Sequence, residues 1–99
     1  MINADAYVEL ESRFLAVFLS LKPSFSTDAV ATVEHYISVA ELEMACESLV
    51  LSLVEESIVI SADLWQELLS LCRALGLDKE SVFKPDFFEF AQARVLRQA

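Results

Sequence analysis

The residues in this chain that could do chemistry are few, and their spacing argues against a reaction. His35 is the one histidine. No recognisable motif pairs that imidazole with a nucleophile, and lone helical histidines are mostly structural or surface groups, so a catalytic role is not expected of it. Cys46 and Cys72 lie far apart in the chain, and two thiols with one distant histidine do not make a tetrahedral zinc site. No glycine-rich loop exists to cradle a phosphate. Glu43 and Glu47 stand one helical turn apart, the spacing of a carboxylate metal site. Bundles of that kind also use a Glu-x-x-His unit, and none occurs here, because Glu34 directly precedes His35. A solvated acidic face is the reading these residues favour. Neither enzymatic activity nor a metal or other cofactor is expected.

The acids themselves remain. The formal net charge is −9, and its placement says more than its size. Residues 23–72 hold nine acids and no lysine or arginine, whereas residues 1–22 and 73–99 are each within one charge of neutrality. Glu41, Glu43 and Glu47 follow one another along a helical stretch that ends at Glu55 and Glu56, and Asp63 and Glu67 begin the next. Unpaired like charges repel and oppose folding, so a basic partner would recover that cost and link binding to stability. Glu55 and Glu56 stand at a helix C-terminus, where the macrodipole disfavours carboxylates. A local rule broken without visible structural gain points to function. Nucleic acid and an anionic membrane would both be repelled, and a cationic protein drawn in. The competing reading is that acidity only keeps an apolar small domain in solution. Tyr36 is a residue type that anchors interfaces. Trp65 is another, although it falls in the core arc of its helix.

The elements that position these groups follow from hydrophobic spacing. The chain's 99 residues suit one domain, and 56% hydrophobic residues exceed the usual share, which argues against disorder. The excess implies apolar surface covered by a partner or by a second copy, so a homodimer stays open. A first helix runs from about Asp5 to Leu21, with Tyr7, Leu10, Phe14, Phe18 and Leu21 on one stripe and Val8, Leu15 and Leu19 on a neighbouring one. Pro23 stops it. Ser26 or Thr27 caps a second helix through Tyr36, on a modest stripe of Val30, Val33 and Ile37, with Asp28 near its positive end. The third spans about Ala40 to Glu55. Its main face is Leu42, Ala45, Cys46, Leu49 and Leu53, while Met44, Leu51 and Val54 lie nearly opposite, so it is expected at the centre. Residues 57–60 form an extended connector burying Ile58 or Ile60. Ser61 caps a fourth helix carrying Leu64, Trp65, Leu68, Leu71, Cys72 and Leu75, and Gly76 ends it. After a polar turn and a short turn at Val82-Phe83, Pro85 opens a fifth helix with Phe87, Phe88, Phe90, Ala91 and Val95. The fold class is all-α, a compact bundle of four to five antiparallel helices in a single domain, 1–99.

No stretch approaches the roughly 20 apolar residues of a membrane span. Residues 1–5, Met-Ile-Asn-Ala-Asp, lack the basic start and apolar core of a signal peptide. A cytoplasmic protein with reduced cysteines is the simplest expectation, with a disulfide left open until the distance between the thiols is known.

The stretch from Val33 through Glu34-His35-Tyr36 and Glu41-Leu42-Glu43-Met44-Ala45 to Leu49 carries a resemblance, continued by Glu55-Glu56-Ser57-Ile58-Val59-Ile60-Ser61, Leu64-Trp65-Gln66-Glu67-Leu68 and Leu75-Gly76-Leu77. Over roughly residues 30–77 it resembles small helical immunity proteins of bacterial polymorphic-toxin systems, including contact-dependent growth inhibition and MafI-like families. Where that family often has an Asp/Asn-x-Gly turn, this chain has Ser38-Val39-Ala40, which leaves the angle between its second and third helices open. By position, Ala45 would be a close-packing alanine and Glu41 a cap or a toxin contact. The resemblance implies a protein that binds and neutralises a cognate toxin in the cytosol, often a nuclease, whose basic cleft an acidic surface would suit. The partner-binding residues expected on this reading are Tyr36, Glu41, Glu43, Glu47, Glu55, Glu56, Asp63 and Glu67. The alternative is an acidic dimeric adaptor or secretion chaperone that holds a secreted protein through apolar strips such as Met44, Leu51 and Val54.

Overall fold

The computed structural model describes residues 3–98, and its elements follow the apolar periodicity closely. Five α-helices account for most of the chain: α1 Ala4–Leu21, α2 Thr27–Ser38, α3 Leu42–Glu55, α4 Ala62–Ala74 and α5 Phe87–Gln98. A 3₁₀ turn, Lys22–Ser24, follows α1 where Pro23 forbids continuation. Three side chains cap helix starts, each taking up an amide left without a partner in the first turn. Asn3 accepts from the Ala6 amide, Ser26 from Ala29 and Ser61 from Leu64.

The sequence-based expectations of all-α class and a central third helix agree with this architecture. α3 packs against α1, α2, α4 and α5. Its inner side is sealed by Leu42, Ala45, Cys46, Leu49, Val50 and Leu53. Facing these are Phe14 and Phe18 of α1, Val33 of α2, Trp65, Leu68 and Leu71 of α4, and Phe87 of α5, all buried in one continuous core. Trp65 is therefore a core residue. Ile60 is the buried residue of the connector, Ile58 is half-buried beside it, and Val59 between them is 80% exposed, an alternation that extended backbone imposes.

Three helices end in the same way, and only one uses glycine. At the end of α4 the Leu77 amide donates to the Cys72 carbonyl and the Gly76 amide to the Arg73 carbonyl, with Gly76 at φ +80°. This is the Schellman pattern, in which a left-handed residue lets two orphan carbonyls be satisfied. Ala40 repeats it at the end of α2, with φ +59° and the Glu41 amide donating to Tyr36, and Ser57 repeats it after α3, with φ +55° and Ile58 donating to Leu53. The absence of glycine at 38–40 therefore does not remove the left-handed turn. It places an L-residue there, at a steric cost of roughly 1 kcal/mol. The Tyr7 hydroxyl donates to the Ala40 carbonyl at 3.1 Å and ties that turn to α1.

Two readings of individual elements change. Pro85 does not open α5; Asp86 adopts φ +64° and the helix begins at Phe87. The polar turn expected after α4 does close on itself, the Lys79 and Glu80 amides donating to the Gly76 carbonyl, whereas the Val82-Phe83 segment is held by a buried side chain, Glu47. Among the described residues no helix is long and apolar enough to cross a membrane.

Candidate protein-binding surface

Burial and hydrogen bonding sort the acids of the middle of the chain into two groups, those with structural partners and those without. Glu47 belongs to the core: its exposure is 0%, and its carboxylate accepts the amides of Val82, Phe83 and Lys84 at 2.7, 2.9 and 2.8 Å. A buried carboxylate costs desolvation unless several donors meet it, and three consecutive amides of a segment without secondary structure do so here. Glu47 is therefore corrected from a partner-binding residue to the anchor of the 82–84 segment. No local pattern in the sequence signals this, because the donors lie more than thirty residues away.

Glu56 also has an internal task. Its two oxygens accept from the Ser26 amide at 2.8 Å and the Ser26 hydroxyl at 2.7 Å. Although it stands at the negative end of α3, it sits on the N-terminus of α2, where a carboxylate is favoured. The broken rule thus has a structural compensation. Glu67 accepts a forked pair of bonds from Arg13, Nη2 to Oε1 at 2.8 Å and Nε to Oε2 at 3.1 Å. That guanidinium holds the Glu67 carboxyl below the usual carboxylate range.

Asp28, Glu41, Glu43, Glu55 and Asp63 make no ion pair or hydrogen bond through their carboxylates among the described residues. Among the described residues no base of the C-terminal segment pairs with them. Arg73 lies over the Phe88 ring, and Lys84 and Arg94 over Phe90, at 4.8–5.6 Å. The two ion pairs in the described residues, Arg13–Glu67 and Lys22–Glu34, both draw their base from α1 or the turn that follows it.

Three of the eight residues expected at a binding surface, Tyr36, Glu55 and Glu56, meet around one open groove of about 480 Å³ between α2, α3 and the 82–84 segment. Asp28, Ser48, Leu51 and Phe83 line it as well. The Tyr36 and Phe83 rings are 5.7 Å apart and tilted by 40°. Phe83 is 45% exposed, although its backbone is pinned by Glu47. Glu43 lines a different hollow, with Leu77, Lys79 and Val82, and Glu41 and Asp63 are exposed outside both. Asp28 and Phe83 are the groove residues that sequence reasoning passed over. Asp28 reads as a helix-end charge, and Phe83 as part of a turn.

The apolar strip expected to hold a secreted protein is only partly available. Leu51 and Val54 are half-buried against the core, and Met44 is half-buried. Val8 and Leu19 on α1 are more exposed, at 63% and 61%.

The thiols answer the question the sequence leaves open. Cys46 and Cys72 are free and buried, with sulfurs 3.7 Å apart. Contact with the Cys72 sulfur, followed by burial, pushes the Cys46 thiol well above its ordinary range, the opposite of an activated nucleophile. Among the described residues no group of three or more His, Cys, Asp and Glu side chains is placed to hold a metal ion.

No family model, curated protein or solved structure matches this chain.

Proposed function

We propose that the protein is a cytoplasmic binding partner of a cationic protein, and that this partner is a cognate bacterial toxin domain of the basic, nuclease type, which it neutralises without catalysing a reaction. The observation that carries this reading is the groove between α2 and α3. It combines carboxylates that have no counter-ion among the described residues, Asp28 and Glu55, with a half-buried Tyr36 beside the exposed Phe83 ring. Such a surface steers a basic partner and then buries apolar area against it. The resemblance of residues 30–77 to helical immunity proteins points the same way.

The test is co-expression with the product of the adjacent open reading frame, followed by co-purification and by assay of that product's toxicity. Reversal of Asp28 and Glu55 to lysine should release the partner and restore toxicity. Retention of the partner by the doubly reversed chain removes the groove from the reading, and failure of any cationic protein to co-purify removes the reading itself. A dimeric adaptor keeps one specific observation in its favour, the exposed Val8 and Leu19 on α1. A stable dimer in the absence of any ligand, lost on Val8→Ser with Leu19→Ser, is its signature.

A further inference from the structure

We infer that the α2–α3 groove is a receptor for an arginine side chain that its partner presents beside an apolar residue. The inference deepens the proposed function and rests on it for the identity of the partner as a cationic protein. The groove offers the three surfaces that a guanidinium uses. Its flat face stacks on an aromatic ring, and the Tyr36 and Phe83 rings stand together at 5.7 Å on one wall. Its forked edge meets carboxylates, and Asp28 and Glu55 line the same hollow with no competing base among the described residues. An apolar neighbour would cover Leu51 and Ala29, which form part of the lining. Lysine has the charge but neither the plane nor the fork.

Among the described residues no cation occupies the site. Lys84 follows Phe83 directly, yet its Nζ lies 4.8 Å from the Phe90 ring. Lys22 is held by Glu34 and Arg13 by Glu67. The walls are also fixed before any ligand arrives. Glu47 holds the backbone of 82–84 from inside, and Glu56 holds the start of α2 against the end of α3 through Ser26. A preorganised site loses less conformational freedom on binding than a mobile one.

The experiment titrates the isotope-labelled full chain with N-acetyl-leucyl-arginine amide, with the neutral citrulline analogue and with the lysine analogue. Amide shifts are followed up to about 20 mM, beyond the millimolar range suited to so small a ligand. Saturable shifts confined to Tyr36, Leu51, Glu55 and Phe83 are expected, with the citrulline analogue at least about tenfold weaker, the scale of a lost charge-assisted contact. Phe83→Leu and Glu55→Gln should each weaken arginine binding about three- to tenfold and leave the remaining spectrum native. Absence of saturable shifts at the groove overturns the inference. So does equal binding of citrulline or lysine, or equal shifts at the isolated acids Glu41 and Asp63. Self-association that the arginine peptide competes away would make the occupant a second copy, and likewise overturns it. A toxin that binds while the peptide does not defeats the arginine site alone. Peptide binding with no cationic partner in the cell defeats the proposed function alone.

Discussion

Glu47 shows how one side chain can separate structure from function in an acidic protein. Its three amide bonds are charge-assisted and buried, and each is worth about 1.5–3 kcal/mol before the cost of desolvation. Glu47→Gln keeps the shape and part of the acceptor capacity but turns an amide group toward backbone donors. A loss of about 2–4 kcal/mol is expected, read as a lower urea midpoint with faster hydrogen exchange at 82–84. A loss under about 0.5 kcal/mol, within the range of ordinary surface substitutions, would mean the carboxylate does not anchor that segment. Reversing Glu47 to lysine would report on folding and not on docking. Glu67 gives a milder, pH-dependent case. Its carboxyl is held below the usual range by Arg13, so its contribution is present above the usual carboxylate range and is lost as pH falls through the lowered value. Both side chains are about one-third exposed, so solvent screening limits the pair to about 0.5–1 kcal/mol. Glu67→Gln should be less stable than the parent at pH 7, and the two unfolding curves should converge in strong acid.

At the scale of elements, the ends of helices are where sequence and structure part company in an instructive way. Leu10, Phe14 and Phe18 on α1, and Leu68, Leu71 and Cys72 on α4, announce their helices through spacing, and all six are buried. The caps at Ser26 and Ser61 are legible for the same local reason. The left-handed residues Ala40 and Ser57 are not, because a Schellman turn is normally read from its glycine. Most of the candidate surface is equally hidden. Glu47, Glu56 and Glu67 look alike in sequence, and their partners at 82–84, Ser26 and Arg13 are all distant in the chain. The groove itself was visible only through Tyr36, Glu55 and Glu56. These turns yield a paired prediction. Ala40→Gly and Ser57→Gly relieve the left-handed cost and should each raise stability by about 0.5–1 kcal/mol. Gly76→Ala should lower it by about 1 kcal/mol, although a Cβ at Gly76 would meet nothing within 4 Å. Thermal unfolding of the three variants tests the sign, and a neutral Gly76→Ala would show that the backbone there relaxes.

At the scale of the whole molecule, a net charge of −9 with few internal counter-ions makes folding and binding respond to salt in opposite directions. Screening relieves repulsion among the free carboxylates and should raise stability, while it weakens the pull on a cationic partner. Bulk charge alone would produce both effects, so a decisive variant must hold it constant. Asp28→Lys with Glu55→Lys, and Glu41→Lys with Asp63→Lys, change the net charge equally, but only the first pair lines the groove. Asp28 lies in the first turn of α2 and Glu55 at the end of α3, so the macrodipole opposes one lysine and favours the other, and folding stability should stay nearly level. If the groove is the docking site, the first pair should slow association with a cationic partner at low salt by about tenfold or more. The second pair should do so by only a few-fold, as a distant charge acts through the long-range field. The gap between the two should narrow as salt shortens the Debye length to about 3 Å near 1 M. Equal slowing by both pairs would mean that the partner senses only total charge, and the surface would then have no address on this molecule.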